Sequence, residues 1–231
     1  MAPYMSKIYY KIAALIVVII AIPGIAAAQD IQTALSLFNQ VAEKYGQVYD
    51  YSANVIIRAD NQVMGGHLYW KKKSRLRIDF SQPSQQVLIS NGELLQVYIP
   101  KYNVTLTQKL DSTSNTAGLA SSEGLTMLRR GYAIAFKSTP NLQPLDDGAG
   151  EQVYKLLLTW KNTNQGFRQI ELAVTQSKYI RRIEGVTSDR KNIRIDFANV
   201  NMNIGIPDIT FDYNTPPESN RYDNFLFGNS N

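Results

Sequence analysis

Acid–base and nucleophilic catalysis need a base within reach of the reacting group, and the chain offers one histidine, His67, and no cysteine. His67 stands in the run Gly66-His67-Leu68-Tyr69-Trp70, which reads as a half-exposed strand rather than as the seat of a catalytic imidazole. A Gly-x-Ser-x-Gly nucleophile elbow is missing from the sequence. Glycoside cleavage would call on paired carboxylates such as Asp79, Glu171 and Asp196. Each of these falls on the polar phase of an alternating segment, so solvated strand faces are expected instead. Asp146-Asp147-Gly148 opens like a calcium loop but lacks the spaced third ligand and the closing Glu, and reads as a turn. Without cysteine there are no thiolate metal sites and no disulfides, and one histidine cannot build a multi-histidine site. No metal, no cofactor and no enzymatic activity are expected.

One basic run remains, Lys71-Lys72-Lys73-Ser74-Arg75-Leu76-Arg77, next to Tyr69 and Trp70. Such a run solubilises a hairpin, or it docks an acidic partner or anionic lipid head groups. Aromatic neighbours favour interfaces, so Lys71, Lys72 and Lys73 are candidate partner contacts.

The elements that position these residues follow from periodicity. The chain of 231 residues carries 24 Lys+Arg against 19 Asp+Glu, an excess of 24 − 19 = 5. That excess is too mild to indicate a nucleic-acid binder, and the length suits one medium domain. Residues 1–28 read as a secretory signal: Lys7 and Lys11, the apolar run Ile12 to Ile22, the breakers Pro23-Gly24, then Ala26-Ala27-Ala28 before a cleavage point at Gln29. A helix is predicted from Asp30 to Tyr45, with Ile31, Leu35, Phe38, Val41 and Tyr45 on its apolar face and Gly46 as its stop. From Tyr51 the period changes to two. Ala53-Val55-Ile57, Leu76-Ile78-Phe80, Leu95-Val97-Ile99, Ile170-Leu172-Val174 and Ile193-Ile195-Phe197 each alternate with polar or opposite-phase residues. Asn91-Gly92 marks a hairpin. Roughly ten short strands at close spacing predict an antiparallel barrel or a strongly curled sheet. Asp111 to Leu128 interrupts the rhythm with a flexible stretch and a short helix capped by Ser121 or Ser122, bearing Leu125 and Leu128. Beyond Pro216-Pro217 a loose tail is expected, over 218–231.

On these residues the chain resembles the periplasmic outer-membrane lipoprotein carrier family of LolA type. The similarity starts at LFNQVAEKYGQVYDYSANV and is most specific from Gly66 to Leu110, where Pro83, Ser90, Gly92, Tyr98 and Pro100 keep the family spacing. It closes on Ile209-Thr210-Phe211-Asp212-Tyr213-Asn214-Thr215-Pro216-Pro217. The family's Arg-Pro pair falls on Lys72-Lys73, and a frequent Trp is Gln96. In the family that Arg joins lid closure by bonding backbone carbonyls. The resemblance implies a mainly β, α+β fold over 29–217: an open, half-closed antiparallel barrel with an amphipathic N-terminal helix and a short helical lid. It further implies an acyl-chain cavity lined by Val55, Ile57, Leu76, Ile78, Phe80, Val87, Ile89, Leu95 and Val97, with Leu35, Phe38, Val41, Leu125 and Leu128 as the lid. The implied role is a monomeric periplasmic carrier of acylated lipoproteins, loaded by an inner-membrane lipoprotein-releasing ABC transporter and unloaded at an outer-membrane acceptor. A regulatory, lipid- or lipoprotein-sensing module on the same fold is the alternative.

Overall fold

An apolar stripe needs something to lie on, and the first helix settles which side chains form it. The computed structural model describes residues 32–110, 120–148, 150–163 and 165–225. The expected signal segment, residues 111–119 of the expected flexible stretch and residues 226–231 lie outside these. Helix α1 spans Ala34–Gly46, and Thr33 caps it, its Oγ1 accepting from the Ser36 N–H at 3.0 Å. Asp30, where the helix is expected to start, is outside the described residues. The buried stripe is Ala34, Leu37, Phe38, Val41 and Tyr45. Leu35 is 46% exposed, which corrects its expected place on the lid. At 3.6 residues per turn it sits about 100° from the stripe's centre, and Leu37 occupies the inner position.

The strands are β1 (Asp50–Ala59), β2 (Gln62–Lys71), β3 (Arg75–Gln82), β4 (Val87–Asn91), β5 (Leu94–Ile99), β6 (Val104–Lys109), β7 (Tyr132–Phe136), β8 (Gln143–Pro144), β9 (Gln152–Trp160), β10 (Phe167–Thr175), β11 (Ile180–Thr187), β12 (Asn192–Met202) and β13 (Asn220–Asp223). They form one sheet in the order β13-β6-β5-β4-β3-β2-β1-β12-β11-β10-β9-β7, with β8 also paired to β9. Every pairing is antiparallel except β13 on β6. β13 corrects the expectation of a loose tail, because residues 220–223 add a strand. The two ends of the sheet do not meet, so the fold is an open α+β half-barrel. Helix α2 (Ser122–Gly131) is capped by Ser121, whose Oγ accepts from the Gly124 N–H at 3.1 Å.

Tight turns and close approaches hold the sheet's shape. Gly92 follows Asn91 at φ +99°, and a Cβ there would stand 2.6 Å from the Lys73 carbonyl oxygen. The Asn91 carboxamide oxygen accepts from the Glu93 and Leu94 N–H groups, both at 2.9 Å. At Gly66, beside a bulge, a Cβ would meet the Asp79 carbonyl oxygen at 2.5 Å.

Register decides which side chains face inward, since directly opposed residues share a face. Val55 stands opposite Phe197, Ile57 opposite Ile195, Leu68 opposite Ile78 and Trp70 opposite Leu76. The inner face continues through Ile183, Leu172 and Leu156. Those side chains, with α1, Leu125 and Leu128, make the main core.

Candidate functional site

An apolar cavity of about 240 Å³ lies on the inner face. Tyr51, Val55 and Ile57 of β1 line it together with Leu68, Leu76, Ile78, Ala120, Ile183, Ile195 and Phe197. Four of the nine residues expected there are in place: Val55, Ile57, Leu76 and Ile78. Phe80 is buried in the same core without lining the cavity. Val87 and Ile89 are corrections. Asp79 opposes Val87, Arg77 opposes Ile89 and Ile78 opposes Leu88, so Leu88 points inward and its two neighbours point out. Val87-Leu88-Ile89 is apolar in both phases, so alternation alone gives no phase. Leu95 and Val97 do share the inner phase, opposite Ser90 and Leu88, but are half-buried and lie beyond the cavity lining. Sequence reasoning missed Tyr51, Leu68, Ala120, Ile183, Ile195 and Phe197. The alternation of the last two was visible; that β12 lies beside β1 was not.

Of the expected lid residues, Phe38, Val41, Leu125 and Leu128 are buried in the core beneath the two helices. Tyr51 ties the second helix to the sheet: its hydroxyl donates to the Ala120 carbonyl oxygen at 3.1 Å, and its ring stacks on Trp70 at 5.4 Å. Burial pushes the Tyr51 phenol well above the ordinary tyrosine value, so it stays a neutral donor. The Trp70 Nε1 is buried without a partner among the described residues. The other residues lining the cavity are aliphatic or aromatic hydrocarbon. Such a lining can shelter alkyl groups and supplies nothing that moves a proton at neutral pH. A larger hollow of about 890 Å³ lies among the loops around Gln62, Pro83 and Tyr102, with Ser84, Gln85 and Lys101 in its wall.

The other residues with chemical promise sit on the outer face. His67 opposes Asn54, and its Nδ1 is 2.8 Å from the Asn54 Oδ1. Asp79 accepts from Arg77 at 2.9 Å, and Glu171 accepts from Lys137 at 2.5 Å. Asp196 accepts from Arg182 at 2.6 Å, Arg194 at 2.8 Å and Arg58 at 2.9 Å. Burial pushes the Asp196 carboxyl up, but the bonds from Arg194 and Arg182 outweigh that and hold it below the usual range. Asp146 grips Arg182 through both carboxylate oxygens. Among the described residues no three His, Asp or Glu gather where a metal ion could be held.

The basic run is engaged within the molecule rather than standing free. The Lys71 Nζ donates to the Ile206 carbonyl at 2.7 Å and to Asp208 at 2.5 Å, and Arg75 meets the same carboxylate at 2.6 Å. The Lys72 Nζ donates to the Gly46 carbonyl at the end of α1 at 3.2 Å and lies 4.2 Å from the centre of the Tyr49 ring. Lys73, in a left-handed turn at φ +69°, is exposed. The segment they hold, residues 203–213, is also fixed by Asp50, whose buried carboxylate accepts from the N–H groups of Ile204, Gly205 and Ile206 at 2.8, 3.2 and 3.1 Å. Lys71 and Lys72 therefore act first as internal ties. Their partners follow far later in the chain or close a helix, and the basic spacing carries no sign of either.

The model of the family described as outer membrane lipoprotein carrier protein LolA matches residues 57–214. The chain belongs to this family. An outer-membrane lipoprotein carrier protein of Pseudomonas paraeruginosa (strain DSM 24068 / PA7) is 28% identical over 159 residues, 68% of this chain and 70% of its own length. The protein of the same description from Bordetella avium (strain 197N) is 22% identical over 196 residues, 84% of this chain and 88% of its own. Among solved structures, an uncharacterized conserved protein from Thermus thermophilus superposes with a TM-score of 0.52 at 11% identity, covering 80% of this chain and 96% of that one. That likeness concerns the fold. In this LolA-family chain the Lys72 ammonium makes a single bond to a helix carbonyl, where a guanidinium would offer a planar fork.

Proposed function

We propose that this chain is a periplasmic carrier that shelters the acyl chains of lipoproteins on their way from the inner to the outer membrane. The observation that carries the reading is the apolar cavity on the sheet's inner face, at the border of the core that two helices cover, in a chain of the lipoprotein-carrier family. Each buried CH₂ is worth about 0.8 kcal/mol, so an acylated protein does not cross water unaided, and a lining of aliphatic side chains is all the shelter it needs. A carrier must also let go. Helices α1 and α2 rest on the sheet largely through apolar contacts and a few bonds such as Tyr51–Ala120 and Lys72–Gly46, a lid that partner contact can lift. The partners on this reading are acylated lipoproteins as cargo, an inner-membrane releasing transporter and an outer-membrane acceptor, with the carrier acting as a monomer.

Leu76 tests the proposal. It is half-buried on β3 and lines the cavity. In a closed core Leu76→Glu would bury an unpaired carboxylate and unfold a marginal domain. In an openable cavity the carboxylate stays wet. The expected outcome is a variant with wild-type circular dichroism and weakened binding in a fluorescent fatty-acyl displacement assay. A wild-type protein that binds no acyl probe, or a folded variant that binds it unchanged, overturns the reading.

A further inference from the structure

The two outer edges of the sheet are finished differently. Beyond β6 the chain lays β13, whose Asn220-Arg221-Tyr222-Asp223 is exposed throughout and carries charge of both signs. The far edge is β7, Tyr132-Ala133-Ile134-Ala135-Phe136, paired to β9 on one side only. Its first N–H, that of Tyr132, closes α2 on the Leu128 carbonyl. Past that point, among the described residues, no second strand bonds to its free side. Exposed edges are ordinarily blunted by a charge, a proline, a bulge or a covering element. β7 has no charged residue, no proline and an unbroken register with β9, and α1 and α2, which both touch it, bond to its backbone among the described residues only through the Tyr132 N–H. The residues that flank its free edge on the outer face, Ala133 and Ala135, are small and exposed.

Cations gather at the start of this strand. Arg129 and Arg130 are exposed in the last turn of α2, directly ahead of it. The Lys161 Nζ reaches their backbone carbonyls at 3.3 and 3.2 Å. Arg168 lies over the ring of Trp160, 5.7 Å from its centre, and Trp160 is the residue opposite Tyr132. None of these four cations pairs with a carboxylate among the described residues. Lys137, just past the other end of β7, is by contrast neutralised by Glu171.

From this juxtaposition we propose that β7 is a docking edge for an extended, acidic polypeptide segment of a partner protein, which adds to the sheet as a further strand. A strand satisfies the free backbone groups that a lipid surface leaves unpaired, and alternate side chains report the sequence. The unpaired arginines then steer and hold acidic residues at one end, which sets the direction in which the segment lies.

The test uses the full chain and a short fluorescein-labelled peptide of alternating Glu and Val, read by fluorescence anisotropy. Three comparisons accompany it: the same peptide N-methylated at alternate residues, an uncharged Gln-Val version, and the Arg129→Glu/Arg130→Glu protein. The proposal expects binding of the acidic peptide, weakened about tenfold or more by each of the three changes. It also expects that raising the salt concentration erases the difference between the two proteins, whose melting temperatures agree. No binding to the wild type overturns it. Equal binding of the N-methylated peptide overturns the added strand. Capture of the protein by phosphatidylglycerol vesicles that the peptide does not compete away assigns the patch to membranes instead. A concentration-dependent dimer in sedimentation that blocks the peptide assigns the edge to a second copy.

Discussion

Two stretches of the same inner face carry the same alternation and end up in different states. Under α1 and α2, Leu156, Leu158 and Leu172 have no measurable exposure and Ile170 is 1% exposed. On the wing formed by β4, β5 and β6, every residue from Leu94 to Ile99 is half-buried, and Leu95 and Val97 do not join the main core. The strands are alike; what differs is the cover, since both helices pack into the core on one half. An apolar strand face becomes core only where a second layer lies on it. Left uncovered, it is a surface waiting for apolar material, and in this chain the cavity sits at the border between the two states.

Truncation should separate the halves most sharply. Leu172→Ala removes a fully buried side chain from the covered half and is expected to cost about 3–4 kcal/mol. Leu95→Ala on the wing is expected to cost about 1 kcal/mol, because water already reaches that residue. Paired urea denaturation curves measure both. Equal costs would mean that the wing is covered in solution as well.

The covered half also carries the ion-pair lattice on its outer face, and the next largest effect is expected there. Asp196→Ala leaves Arg182, 6% exposed, with Asp146 at 2.8 Å and the more distant Glu184 at 3.8 Å to answer its charge. A loss of about 3 kcal/mol is expected. Adding Arg182→Met should restore much of it, since the pair costs desolvation that an apolar pair does not. A double-mutant cycle by thermal unfolding reads the coupling.

Much of this was legible in the sequence. The alternations of β3, β5, β10 and β12, the Asn91-Gly92 turn, both helices and the Ser121 cap are local features, and local features leave a periodic trace. Three kinds of fact left none. The helix face was misjudged by one residue at Leu35, because a stripe through Leu35 and a stripe through Leu37 share Phe38, Val41 and Tyr45. The phase of Val87-Leu88-Ile89 is set by its partner strand, not by its own composition. The pairing of β12 with β1, which brings Ile195 and Phe197 into the cavity, joins segments far apart in the chain. The lysine run shows the same limit: its solvated look in the sequence is answered by Asp208 and by the carbonyl of Gly46 only after folding.

The wing has a support of its own, and it yields the smallest expected effect. The short helical turn Asp208–Phe211 packs on the outer face of β3 and β4, with Phe211 buried. Arg77 donates to the Thr210 carbonyl at 2.9 Å. Asp208 is the electrostatic link: bonds from Lys71 and then Arg75 draw its carboxyl down from 3.8 to about 2. A carboxylate depressed in the folded state contributes stability above its unfolded pKa and loses that contribution as pH falls through its folded value. The tie is thus nearly complete above about pH 4 and is lost as the pH falls through about 2. Its carboxylate is two-thirds exposed (66%), so the global melting temperature of Asp208→Asn should differ little from wild type at pH 7. Hydrogen–deuterium exchange is the sharper measure. At about pH 5, above the unfolded value, the amides of residues 206–212 should exchange faster in Asp208→Asn than in wild type, while β9 and β10 exchange equally in both. As the pH falls below about 2 the two proteins should converge over the same segment. Equal exchange at pH 5 would mean that the segment is held by Phe211 and the Arg77 bond alone, and that the two halves differ in cover but not in how their outer faces are secured.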